Sequence, residues 1–331
     1  MSTLDDTSPK RLTFALLRLL SDGEFHSGEV MAQQLGVSRA SVSKSLQHVD
    51  ELGLNLFSVR GRGYQLVEKL QWLDADKVLA NLNTPEAFQI EIAETASSSN
   101  SILLQRAALG ATSGSVLAVE WQSAGRGRLG REWHSGLGNA LTFSLLWRFK
   151  SGLSALSGLS LAVGVAMMRA LIKLGITNIG LKWPNDLLNS DGKLAGILIE
   201  AQGDMMGPSF VVVGIGLNLR LPSSVKHRID QPVSDLAKST AVMPERNYLL
   251  ALLLQELAEM MVAFEGRGFL PLKNEWESYH IYQNRQVKFL LPDGKQESGK
   301  VLGVTEDGSL RVETVQGPKI FNAGEISLRE I

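Results

Sequence analysis

The chain has 331 residues, 33 Lys or Arg against 34 Asp or Glu, a formal net charge of −1, and no cysteine. That length allows two or three domains, each able to bury its own core. Zero cysteine excludes disulfides, a thiolate nucleophile, a thioester intermediate and Cys-ligated zinc, and near-neutrality excludes a protein that is basic overall and coats nucleic acid or anionic lipid, though not a local basic patch.

Met1 to Pro9 is polar, carries Asp5 and Asp6, and lacks the basic stretch leading into an apolar run that marks a secretory signal. From Arg11 to Leu20, apolar Leu12, Ala15, Leu16, Leu19 and Leu20 fall at helical spacing, and Asp22-Gly23 ends the run. Ser27 is placed to cap a second helix through Val30, Met31 and Leu35, and Gly36 supplies the permissive residue of a tight turn. Ser38 caps a third, with Val42, Leu46 and Val49 inward and Arg39, Ser41, Ser43, Lys44 and Gln47 outward. This is helix-turn-helix grammar over about Gly28 to Gln47, with the third helix aimed at the major groove. Leu54 to Val59 and Tyr64 to Val67 flank Arg60-Gly61-Arg62-Gly63, a wing whose arginines suit phosphate or minor-groove contact. The expected DNA-contacting set is Ser38, Arg39, Ser41, Ser43, Lys44 and Arg62. Residues 10–63 hold seven basic side chains against five acidic ones, so a lone copy would bind DNA weakly. A three-helix protein-binding module with a solvated polar face is the competing reading.

Residues 70 to about 275 alternate apolar strands with amphipathic helices. The strand Val116 to Trp121 runs into Gln122-Ser123-Ala124-Gly125-Arg126-Gly127-Arg128-Leu129-Gly130-Arg131. Gly125, Gly127 and Gly130 satisfy a dinucleotide-type glycine spacing, but a second strand follows, Asn139 to Phe149, instead of a helix, and no acid lies near Leu145. A Walker-type phosphate loop is absent from the sequence. The arginines therefore carry the anion chemistry: guanidinium forks bind phosphate bidentately on a backbone that glycine frees to bend, at the expense of order when empty. An arginine-rich surface hairpin without ligand is the alternative.

Ser151 to Met168 is 18 residues without a charge, but seven are Ser or Gly and Arg169 and Lys173 follow, which favours a buried core helix over a membrane span and a cytoplasmic protein. Lys182-Trp183-Pro184-Asn185-Asp186 joins a strand to a turn, and Gly192-Lys193-Leu194-Ala195-Gly196 opens the next strand, with the Lys193 head toward a pocket. Gly214 and Gly216 interrupt the apolar strand Val211 to Leu219, a sign of close backbone or ligand approach. From 280 to 331, short strand-like runs are separated by turn signals at Pro292-Asp293-Gly294, Glu306-Asp307-Gly308 and Gln316-Gly317-Pro318, as in a small β-barrel or sandwich.

In this order, Ser97-Ser98-Ser99-Asn100, the Gly125–Arg131 loop, Lys182-Trp183-Pro184-Asn185-Asp186, Gly192-Lys193-Leu194-Ala195-Gly196 and Gly214-Ile215-Gly216-Leu217-Asn218 resemble the motifs of the biotin protein ligases. The helix-turn-helix in front is similar to the bifunctional class that also represses the biotin operon. The likeness runs from Leu12 to Arg329. It implies an α+β multidomain chain: a winged helix-turn-helix at 1–68, a biotin- and ATP-binding mixed-sheet domain of class II synthetase type at 69–278, and an SH3-like β-barrel at 279–331. It implies that biotin and ATP form biotinyl-5′-AMP, with Mg²⁺ as cofactor, and that a lysine of the biotin carboxyl carrier protein of acetyl-CoA carboxylase attacks the anhydride. The adenylate would also act as corepressor, favouring a homodimer on operator DNA.

Position by position, the resemblance gives Ser98, Ser99, Asn100 and Gln122 to biotin. It gives Gly125, Arg126, Gly127 and Arg128 to the loop over the carboxyl group and phosphates, Trp133 to the enclosure of the adenylate, and Lys193, with Arg126 and Arg128, to the reacting centre. Asp186 and Asn218 fall to the ATP region, Asp186 also to a metal, and Arg329 to the nucleotide. The chain departs from the family at Ser97 and Ser99, where Asp and Thr are common, and at Leu129, which replaces a common basic residue. A ligand-sensing transcription factor with a degenerate enzyme domain and a lipoate or octanoate ligase are the other readings; the intact Gly125–Arg131 loop and Lys193 weigh against the first, and the Gly-Arg-Gly-Arg loop, which the lipoate ligases lack, against the second.

Overall fold

The structure is a computed structural model that describes residues 11–291, 295–323 and 326–330, without the side chains of Ser327, Arg329 and Glu330. The expected turn at Pro292-Asp293-Gly294 lies outside the described residues, as does the Arg329 side chain.

Three helices, α1 (Arg11–Leu19), α2 (Gly28–Gln34) and α3 (Arg39–Leu46), precede a hairpin of β1 (Leu56–Val59) and β2 (Gly63–Leu66). Ser27 and Ser38 cap α2 and α3 as their sequence positions predict, accepting from the amides of Glu29 and Ser41. Gly36 takes a left-handed φ of 65° between the two helices. His26 and Tyr64 exchange two backbone hydrogen bonds of 2.8 and 2.9 Å, which ties the wing to the segment before α2. Phe14, Leu17, Met31, Val42, Leu46 and Leu66 form the core here, and Leu137, far along the chain, completes it. The Leu137 amide donates to the Leu52 carbonyl at 2.8 Å.

After α4 (Ala75–Ala80) comes a seven-stranded sheet. Its strands are β3 (Gln89–Ala96), β4 (Ser115–Gln122), β5 (Ala140–Phe149), β6 (Gly180–Lys182), β7 (Asp186–Asn189), β8 (Gly192–Gly203) and β9 (Ser209–Asn218). They lie in the order β3-β4-β5-β9-β8-β7-β6; β3 and β4 are parallel, joined across α5 (Ser99–Ala108), and every other pair is antiparallel. Side chains alternate across the sheet. One face carries Phe143, Val213 and Ile215 against α6 (Leu159–Lys173) and α8 (Arg246–Arg267). The other carries Leu117, Val119, Leu146 and Val212, covered by Leu103 and Ala107 of α5 at one end. The uncovered end of that face is where the cavity lies. The uncharged run Ser151–Met168 splits: Gly158, at φ 79°, starts α6, whose residues are buried almost all round. No helix among the described residues is long and apolar enough to cross a membrane.

Short α7 (Ser223–Lys226) and then α8 and α9 (Lys273–Tyr279) lead to the last unit. Its strands β10 (Gln286–Leu290), β11 (Gln296–Val304), β12 (Leu310–Thr314), β13 (Gly317–Phe321) and β14 (Ser327–Glu330) form one antiparallel sheet in the order β13-β12-β11-β10-β14. Its apolar face, with Val287, Phe289, Val301 and Val312, joins the central core. Trp183 Nε1 donates to the Gly308 carbonyl at 3.0 Å across this junction.

His280 sits at the same junction, 4% exposed and stacked on Trp276 at 4.5 Å. Burial pushes its imidazole down to about 4 from 6.5. As pH falls through 6.5 the unfolded chain takes up a proton that the folded chain refuses until about 4, so stability declines across this window, by about 3 kcal/mol in full. Urea midpoints at pH 7 and pH 4.5 should therefore differ more for the wild type than for His280→Phe. Parallel pH dependence in the two proteins would refute this.

Candidate functional site

The open end of the sheet face is floored by glycine. Gly216 lies opposite Thr142 and beside Gly196, and Gly214 lies opposite Ser144 and beside Leu198. A Cβ on Gly214 would stand 2.2 Å from Asn100 Oδ1, and one on Gly216 would stand 2.3 Å from the Trp133 ring. These positions are glycine because side chains from α5 and from the glycine-arginine loop rest directly on the strands.

A polar strip runs along this floor. The Ser99 amide donates to Gln122 Oε1 at 2.7 Å, and Ser99 Oγ and Ser144 Oγ share a hydrogen bond of 2.7 Å. Ser144 Oγ lies 2.5 Å from Asn100 Oδ1, and Asn100 Nδ2 donates to Glu200 Oε2 at 3.1 Å. Ser98 caps α5 and thereby fixes Ser99 and Asn100 at its first turn. Ser99, Asn100 and Ser144 of the strip are thus paired, as their burial on an apolar sheet requires.

The loop closes over the strip. Its base is held by Trp133 N to Gly125 O (2.8 Å), and its tip by Gly127 N to Arg131 O (2.7 Å). Leu129 at the tip adopts φ 56° and is 79% exposed, so the side chain that replaces a basic residue points away from the cavity. A pocket remains between the loop and the floor, with apolar walls and a few convergent polar groups, as small-molecule sites have. Ser98, Ser99, Asn100, Gln122, Arg126, Gly127, Arg128, Trp133 and Lys193 all line it. Gly125, Asp186 and Asn218 do not: Gly125 shapes the loop, and the other two stand behind Lys193.

Three cations converge here. Arg126 pairs with Glu200, and Lys193 Nζ lies 2.7 Å from Asp186 Oδ1. Arg128 has only the neutral Asn185 Oδ1, at 3.4 Å. Burial lowers its pKa and the charge of Asp186 partly restores it. A half-buried guanidinium without a carboxylate in salt-bridge contact among the described residues is suited to receive an anion. Asn218 donates to Ser234 O at 3.0 Å, while its Oδ1 is buried with no hydrogen-bond partner. Among the described residues no group of three or more His, Cys, Asp or Glu could enclose a metal. The Asp186 carboxylate and the orphaned Asn218 Oδ1 are oxygen donors of the kind that suits Mg²⁺, which takes one or two protein oxygens when phosphates provide the rest.

The sequence matches the Biotin/lipoate A/B protein ligase family over residues 93–218, an HTH domain over 11–65, and the Biotin protein ligase C terminal domain over 283–329. It is 37% identical to the Bifunctional ligase/repressor BirA of Escherichia coli, across 98% of both chains. The chain belongs to the biotin protein ligase family, in its bifunctional ligase/repressor form. The protein of that name from Bacillus subtilis is 29% identical over 95% of this chain and 97% of its own. The biotin protein ligase of Aquifex aeolicus, solved in complex with biotin and ATP, superposes with a TM-score of 0.62 at 28% identity, covering 73% of this chain and 99% of that one.

Four polar members of this site lie outside the sequence candidates: Thr142, Ser144, Asn185 and Glu200. Thr142 and Ser144, two apart in an apolar strand, were the available signal, since that spacing puts two hydroxyls on one face. In the N-terminal unit, Arg39 and Lys44 are exposed on α3, Ser41 and Ser43 half-buried, and Ser38 is occupied by its cap. Arg62 at the wing stacks its guanidinium 3.9 Å over the Phe25 ring.

Proposed function

We propose that the protein activates biotin with ATP as biotinyl-5′-AMP, transfers the biotinyl group to a lysine of the biotin carboxyl carrier protein, and as an adenylate-bound homodimer represses biotin synthesis genes. The observation that carries this is a hydrogen-bonding floor and three cations that line one pocket. The cyclic urea and fused ring of biotin suit the strip of Ser98, Ser99, Asn100 and Gln122, whose buried polar atoms fix its orientation. The carboxylate then points to Lys193 and the loop. Its oxygen attacks the α-phosphorus of ATP, the new O–P bond forms, and pyrophosphate leaves with the electron pair of the bond that breaks. Arg126, Arg128 and Lys193 stabilise the charge growing on phosphate and carbonyl oxygens, a task for preorganised cations in a site that excludes water. The carrier's neutral amine next adds to the carbonyl carbon, loses a proton, and expels AMP. Trp133 lies over the floor as a lid. Asp186 and Asn218 would hold Mg²⁺, which neutralises phosphate charge when it arrives with the nucleotide, and Arg329 belongs to the nucleotide side.

We place the working boundaries at 1–68, 69–278 and 279–331. Ser38, Arg39, Ser41, Ser43, Lys44 and Arg62 form the operator surface, and pairing of two copies doubles a weak local charge excess. Mixing the protein with biotin, Mg-ATP and an apo-carrier fragment should yield a streptavidin-reactive carrier; no labelled carrier would sink the ligase reading. Arg62→Ala should weaken operator binding and lower the salt slope by about one, with ligation unchanged. Operator binding of wild-type strength in gel shifts would remove Arg62 from that surface.

A further inference from the structure

The glycine-arginine loop has few anchors. Ser123 and Ala124 donate to the carbonyls of Ala96 and Ser97 at its root, each at 3.0 Å, and Trp133 closes its far end. Between them a Cβ on Gly130 would meet nothing within 4 Å, and Leu129 faces solvent. Two side chains reach down from this span to the sheet: Arg128 to Asn185 across a long 3.4 Å, and Arg126 to Glu200. Only the second is ionic.

Glu200 is itself held. The Oε2 atom that takes Arg126 also accepts from Asn100 Nδ2 at 3.1 Å. Asn100 is 3% exposed and continues into Ser144, Ser99 and Gln122. The carboxylate is 26% exposed, so the pair is shielded on one side. Glu200 is thus the junction between the cavity floor and its cover.

We propose that Glu200 is the positioning residue that keeps the loop seated, acting through Arg126, and thereby sets how long the adenylate is retained. What the loop covers rests on the ligase reading; that Glu200 seats it does not. A charge-assisted hydrogen bond is about twice as strong as a neutral one, so losing the charge while keeping an acceptor should free the loop without dismantling the floor. Glu200→Gln does this, because the amide oxygen can still accept from Asn100.

The test is trypsin cleavage after Arg128 and Arg131 in the ligand-free full chain, followed by mass spectrometry, for Glu200→Gln, Arg126→Gln and the double variant. Cleavage in Glu200→Gln should be about tenfold faster than in wild type, with an unchanged melting temperature. The double variant should be cut no faster than Arg126→Gln, because residues that act as one unit are not additive. Unchanged cleavage in Glu200→Gln, or two effects that multiply, would overturn the proposal and leave Glu200 as a support for Asn100. Release of labelled biotinyl-5′-AMP should also accelerate about tenfold in Glu200→Gln, with the KM for biotin raised more than the carrier-transfer kcat is lowered. Unaltered release would show that the loop's seat does not govern retention. If wild type forms no adenylate, the ligase reading fails, and the trypsin comparison still decides the role of Glu200.

Discussion

Lys193→Ala is expected to lower biotinyl-5′-AMP formation by a factor of about 100 or more, the usual loss when one preorganised charge is removed from a site of developing negative charge. The local geometry leaves no substitute. Of the two other cations, Arg126 is engaged by Glu200, and Arg128 approaches from the loop instead of from the sheet. Lys193 alone rises from a strand end, where its backbone is fixed on both sides: its amide donates to Pro232 O at 3.0 Å and its carbonyl accepts from Ser234 N at 2.9 Å. Truncating the side chain leaves both bonds, so the fold should survive and the effect should fall on chemistry. The loss also leaves Asp186 without its cation, which makes the pocket more negative just where an anionic carboxylate and a triphosphate must meet. Pyrophosphate release at saturating biotin and Mg-ATP reads the step directly. A rate equal to wild type would refute the role assigned to Lys193.

Much of this site is legible in sequence because its chemistry is local. Gly125 to Arg131 sits in one loop, Ser98 to Asn100 in one helix start, and Lys193 one residue into a strand after a turn. The residues that connect these pieces are not local. Ser144 is a hydroxyl in a strand of apolar residues, and its use depends on standing opposite Gly214. Glu200 reads as a solvated strand-end acid until the register places it under Arg126. Fold class follows from the same logic: caps, turn glycines and alternation are short-range signals, and they mark the helix-turn-helix, the wing and the small β-unit. The long α8 leaves a weak signal because its outward stripe carries apolar Tyr248, Leu252, Val262 and Ala263, which blurs the contrast between its two faces. Leu137 shows the limit most plainly. It follows the ligand loop in sequence, yet it is buried in the core of the N-terminal unit.

Arg246→Met should destabilise the protein by about 3–5 kcal/mol, because it strips the partner from a buried charge. Glu120 lies in the middle of an apolar strand and is 1% exposed; Arg246, at the start of α8, is 3% exposed and places NH1 2.8 Å from Glu120 Oε2. The pair also holds the chain that leaves the N-terminal unit. Glu120 Oε1 accepts from the Leu73 amide at 2.6 Å, Arg246 NH1 donates to Gln71 O, and Arg246 NH2 donates to Ala140 O at 3.1 Å. Asn247 adds a 2.7 Å bond from the Asp74 amide. A charge buried in isolation would cost far more than it returns, so its presence here is explained by what it organises: two backbone groups of the crossing segment, Leu73 N and Gln71 O, and one at the start of β5, Ala140 O. Two outcomes follow. Urea unfolding of Arg246→Met should show a lowered midpoint, with proteolysis first appearing near residues 69–74. The double variant Glu120→Leu/Arg246→Met should recover part of the loss, since the orphaned charge goes while the linker amides remain unpaired. If the single variant costs less than about 1 kcal/mol, the level of an exposed pair, then the linker is held by the packing of Trp72 on Phe14 and not by this ion pair.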